Sequence, residues 1–156
     1  MWIPRVPWRQ KAAIQRAVAY LPAPIGGRLY YALQRTVGGL SHVDPEERFR
    51  AALEMVQRLE AQGCSLVGGT VLELGTGWRL NVPLGLWLLG AQRVVTVDIH
   101  RYLRLALVRN DLAALRAAPE RFVTLFGHHA ASSRFCRRFD QLLAFRGTSA
   151  ALMRLT

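Results

Sequence analysis

The stretch from Thr70 to His100, TVLELGTGWRLNVPLGLWLLGAQRVVTVDIH, constrains this chain more than any other. Val71, Leu72 and Leu74 form the short apolar run expected of a buried parallel strand, and a glycine turn follows at Gly75 and Gly77. Continuous apolar character from Pro83 to Leu89 reads as a buried helix that Gly90 stops. Arg93 to Val97 is a second, β-branched strand ending on Asp98. Strand, turn, helix and strand in that order make one right-handed βαβ unit of a nucleotide-binding type, which sets the fold class as α/β.

The glycine turn lies where a strand's carboxyl end meets a helix, the place where open α/β sheets bind ligands. Glycine permits positive φ there and lets a ligand approach the backbone closely. Asp98, at the end of the neighbouring strand, can accept two hydrogen bonds from a ribose diol, so turn and carboxylate together suit an adenosine. After Gly77 come Trp78, Arg79 and Leu80, and no third glycine stands until Gly85, which departs from the dinucleotide pattern. No P-loop lysine is present. Glu73 lies inside the strand, two residues before Gly75; its charge repels phosphate and suits a ligand with a positive end.

Glu73-Leu74-Gly75-Thr76-Gly77, followed by Asp98, resembles the first motif and the second-strand acid of the class I S-adenosylmethionine-dependent methyltransferases. The resemblance implies S-adenosyl-L-methionine as cofactor. Gly75, Thr76 and Gly77 would approach its methionine and ribose portions, Glu73 would sit near the methionine end, and Asp98 would hold the ribose hydroxyls. Where many members carry a third glycine this chain has Arg79, so Trp78 and Arg79 are expected to line a wider turn. The simpler readings are an ion pair of Glu73 with Arg79 or Arg93, a helix-capping role for Asp98 near Arg101, and core positions for Trp78 and Trp87.

The resemblance also implies a sheet of about seven strands, whereas only 86 residues follow residue 70. A partial Rossmann-like sheet of two to three parallel strands is therefore expected. It would leave strand edges open and helix faces uncovered. The domain reading is a helical segment over 1–66 that packs on the sheet and an incomplete cofactor-binding domain over 67–156. The chain then corresponds to the N-terminal part of a methyltransferase, truncated or completed by a missing C-terminal half or a partner chain, with no catalytic residue or methyl acceptor identified.

Helices surround this unit. Pro7 to Tyr20 is a basic amphipathic helix with Ala13, Ile14, Ala17, Val18, Tyr20 and Leu21 inward, and a shorter one spans Arg28 to Thr36 before Gly38-Gly39. Asp44-Pro45-Glu46-Glu47 opens a third with a capping box between Asp44 and Glu47; Phe49, Leu53, Val56 and Leu59 form its stripe, and Gly63 ends it. A helix from Arg101 to Ala117 turns Tyr102, Leu103, Leu105, Ala106, Leu112 and Leu115 inward. Glu120 to Phe126 fits a short strand or a helical turn. Ser132 to Phe145 is amphipathic, with Phe135, Phe139, Leu142 and Leu143 on its apolar stripe, and Thr148 caps a last helix.

Composition enters at the rival reading. The net charge is +11, with 20 of the 21 basic residues Arg, a skew that codon usage alone can produce. Residues 1–43 carry six positive charges and no acid, residues 44–99 five against seven acids, and residues 100–156 ten against three. The basic flanks admit a non-enzymatic module that binds nucleic acid or an anionic membrane surface through Arg9, Arg16, Arg134, Arg137 and Arg138. The acid-free start also resembles a mitochondrial targeting peptide, but Pro4, Pro7, Pro22 and Pro24 interrupt it. Val82 to Ala91 is the longest nearly apolar stretch, about half the length a bilayer-crossing helix needs, so a soluble or peripheral cytoplasmic protein is expected. Cys64 and Cys136 read as buried thiols, and His128-His129, with no acid nearby in sequence, as neither a metal nor a catalytic site.

Overall fold

A computed structural model describes residues 7–36, 40 and 44–147. The fold is mixed helix and sheet, mostly helical, with two parallel strands in an open sheet. It divides into two compact units, residues 1–43 and 44–156, so the boundary expected at residue 66 falls inside the second. The Gly38-Gly39 break and the helix expected after Thr148 lie outside the described residues.

In the first unit, helices α1 (Trp8–Ala19) and α2 (Ala23–Thr36) pack on each other. The second helix begins five residues before the expected Arg28, because Pro24 falls in a first turn whose amides need no partner and Pro22 accepts from the Ile25 and Gly26 amides. Val18 is buried. Ile14, Tyr20 and Leu21, expected inward, are exposed.

In the second unit, α3 (Pro45–Ala61) starts on Asp44, whose side chain accepts from the Glu46 amide at 3.0 Å. The expected reciprocal bond from Glu47 is not made: Glu46 is the engaged acid, held by Arg50 and Arg121. Phe49, Leu53 and Val56 are buried as expected, but Ala52 joins them and Leu59 is exposed. The strands follow as β1 (Thr70–Leu74) and β2 (Arg93–Val97), joined by α4 (Asn81–Leu88). Helix α4 is buried almost all round. It begins two residues ahead of the expected Pro83, which puts that proline in the first turn. Gly85 allows it to lie close on α3, since a Cβ there would stand 2.7 Å from the Ala52 methyl.

Helix α5 (Leu105–Ala117) starts later than expected, because residues 101–104 form a loop. Its buried face is Leu107, Val108, Asp111, Leu112 and Leu115, one face of a 3.6-residue repeat that includes a carboxylate. Residues 120–126, open between strand and helix in the sequence, belong to α6 (Pro119–Phe126), so no third strand is present among the described residues. A 3₁₀ turn (Gly127–Ala131) leads to α7 (Ser133–Ala144), capped by Ser132, which accepts from the Phe135 amide at 3.1 Å. Phe49 meets Phe122 and Phe126 edge-on, with ring centroids 5.6 and 6.0 Å apart, and Phe126 meets Phe135 at 5.0 Å. These rings hold α3, α6 and α7 together.

Register pairs Leu72 with Val95, Glu73 with Thr96 and Leu74 with Val97. The face carrying Val71 and Val94 joins the core. The opposite face does not: Leu72 is 62% and Leu74 77% exposed, which corrects the expectation of a strand buried on both faces. The cause is that none of the described helices of this unit covers that face. Both cysteines are also exposed rather than buried. No described helix is long and apolar enough to cross a membrane.

Candidate functional site

Between β1 and α4 the chain must reverse within six residues, and Gly75 and Gly77 do it with φ of +89° and +69°. A side chain on either would be strained by backbone conformation rather than by crowding, since a Cβ would meet nothing within 4 Å. Open space therefore lies against both glycines. The Gly75 amide continues the ladder by donating to the Val97 carbonyl at 2.7 Å.

Asp98 holds the turn in place. Its Oδ2 accepts from the Gly77 amide at 2.7 Å and its Oδ1 from the His100 amide at 3.1 Å. These amides, Gly77 foremost, keep its pKa below the ordinary aspartate value. It does not cap a helix: α5 starts at Leu105 with Arg104 as its first flanking residue. A carboxylate offers about four acceptor positions, so these amides do not exhaust it.

Glu73 pairs with neither Arg79 nor Arg93. Register sets it beside Thr96, whose hydroxyl donates to Glu73 Oε2 at 2.8 Å. Thr76 Oγ1 in turn touches Thr96 Oγ1. With Thr96 donating to the acid, Thr76 donates to Thr96, so turn, second strand and acid form one hydroxyl chain. Burial pushes the Glu73 pKa up, the Thr96 bond opposes that, and the charge of Asp98 adds to it. Glu73, Gly75, Thr76, Gly77 and Asp98 are thus brought together.

Arg79 is occupied elsewhere. Its guanidinium forms a buried ion pair with Asp111 of α5 and reaches the Leu107 carbonyl at 3.5 Å. Burial pushes the Asp111 pKa up to about 6 against the attraction of Arg79 and the nearby Asn81 amide. Asn81 itself is 2% exposed, and neither of its amide atoms completes a hydrogen bond. Arg79 therefore anchors the far end of the turn to α5.

Three participants were not read from the sequence. Thr96 was signalled by register: two strands ending in acids align Glu73 with it. Tyr102, assigned inward on a helix, belongs instead to the loop over the turn, its ring 4.7 Å from Trp78 and 5.1 Å from His100. Asp111 had no signal beyond its helical spacing, which an apolar-only stripe passes over. Trp78 is half-buried beside this loop, with Arg104 over its ring at 5.5 Å, while Trp87 is core.

The basic rival loses one of its cations. Arg138 stacks on Trp87 at 4.8 Å and donates to the carbonyls of Trp87 and of Ala91, the latter at 2.9 Å, so it closes the carboxyl end of α4. Comparison with family models, with curated proteins and with solved structures finds no match for this chain.

Proposed function

We propose that residues 44–147 form the S-adenosyl-L-methionine-binding part of a methyltransferase, a partial Rossmann-like unit whose methyl acceptor is held by further structure. The observation that carries this reading is the pair of carboxylates, Glu73 inside one parallel strand and Asp98 at the end of its neighbour, flanking a turn with two positive-φ glycines and open space against both. The cofactor, when bound, supplies a methyl group already activated by a sulfonium. The chain's own residues bind and orient it.

Asp98 has acceptor positions left for ribose hydroxyls after holding the Gly77 and His100 amides. Glu73 is fixed by Thr96 and raised in pKa by burial, so a positive ligand end beside it favours the ionised form and is itself favoured. The Trp78–Tyr102 pair adds an aromatic surface beside His100, whose amide Asp98 holds. Positioning is what such chemistry asks of a protein, since the electrophile needs no covalent help. The bare sheet face and the two single-neighbour strands support a sheet that is continued by more chain or by a partner.

Calorimetric titration with S-adenosylhomocysteine tests the reading. Saturable heat is expected, weakened roughly ten- to hundredfold by Asp98→Ala, the loss that removing hydrogen bonds to a charged acceptor brings, and unchanged by Leu72→Ser on the bare face. No heat, or binding indifferent to Asp98→Ala, would contradict it.

A further inference from the structure

A second cluster stands apart from the glycine turn. Glu60, near the carboxyl end of α3, and His128 and His129, in the 3₁₀ turn between α6 and α7, bring one donor atom each to within 4.8 Å of one another. His129 Nε2 is buried without a hydrogen-bond partner and lies 3.7 Å from Glu60 Oε2. That gap is too wide for a hydrogen bond. It matches the separation of two donors on one tetrahedral zinc, about 3.4 Å for bonds of about 2.1 Å.

We propose that Glu60, His128 and His129 bind a divalent transition ion of the zinc class, with water in the remaining position. Two imidazoles and one carboxylate are donors for zinc or cobalt rather than for magnesium or calcium, which take oxygen sets. The two rings lie against each other at a tilt of 35°, with centroids 4.0 Å apart. The turn is a firm base: Ser132 donates its amide to the His129 carbonyl at 3.3 Å and Ala130 is buried. Glu60 and His128 are exposed, so their side chains can close the remaining distance without disturbing the core. An ion here would tie the end of α3 to the turn after α6, two places far apart in sequence.

The test uses tag-free full chain carrying Cys64→Ser and Cys136→Ser, because both thiols are exposed and would bind zinc on their own. Titration with zinc chloride should show one ion per chain. Glu60→Gln, His128→Ala and His129→Ala should each weaken binding roughly tenfold or more, the loss that removal of even an outer-shell partner causes. Zinc at a hundredfold excess over Kd should raise Tm by about 5–10 °C, whereas magnesium and calcium should give no heat. Glu60→Gln and His128→Ala change exposed positions and keep the test valid should His129→Ala fail to fold. Absence of zinc binding in the cysteine-free chain, or binding that Glu60→Gln and His128→Ala both leave intact, overturns the proposal.

Discussion

The two faces of the β1–β2 sheet have opposite fates. Val71 and Val94 join a core of leucines and stacked phenylalanines; Leu72, Leu74 and Val97, one position along, are half or more exposed. Strand patterning alone points the wrong way, because the covered face carries Glu73 and Thr96 beside its valines while the bare face carries Leu72, Leu74, Val95 and Val97. Coverage decides. The core that includes Val94 and packs on Val71 draws on helices α3 to α7, whereas Leu72, Leu74 and Val97 on the second face are half or more exposed. That contrast is the main physical support for the proposed sheet completed by further structure, and it separates stability, which resides on the covered side, from the proposed binding site, where the strands end.

The contrast breaks most sharply in the core. Phe49→Ala should cost about 3–5 kcal/mol in urea unfolding, because the ring lies between Phe122 and Phe126 and its loss leaves a cavity. Next is Arg79→Ala. It strands the buried Asp111 carboxylate and should cost about 3 kcal/mol. Asp111 also gives a pH signature. Its folded pKa of about 6 lies above the ordinary 3.8, so the native state binds the extra proton. Its contribution is full below the lower value and is lost as pH rises through the higher. Between pH 4 and 7 the wild type should therefore lose on the order of 2 kcal/mol relative to Asp111→Asn, read from denaturation midpoints at each pH. The smallest effect belongs to the bare face: Leu72→Ser with Leu74→Ser should change monomer stability by about 0.5 kcal/mol or less while reducing hydrophobic-dye binding. A large loss there would mean that the face is covered in solution.

The βαβ segment was legible because its strands, turn and stop signals are local. Arg93–Val97 falls where the sequence sets it, and the Ser132–Phe145 helix is found within a residue at each end. Helix starts shifted at Pro24 and Pro83, since a proline in a first turn reads equally as a break, whereas Pro45 was legible through its Asp44 cap. At the site, Glu73, Gly75, Gly77 and Asp98 follow from spacing. Thr96 needed the strand register, Arg79–Asp111 needed the docking of α5, and Glu60 with His128 and His129 needed α3 brought to the turn beyond α6. Each depends on a tertiary contact between segments with no shared local pattern.

The central claim is that the glycine turn is a binding site governed by Asp98. The most direct measurement is a titration of ¹⁵N-labelled chain with S-adenosylhomocysteine followed by amide resonances. The account predicts saturable shifts at Gly75, Thr76, Gly77 and His100, lost in Asp98→Ala, with the Phe122 and Leu142 amides of the core unmoved. Absence of shifts at the turn, or the same shifts in Asp98→Ala, would contradict it.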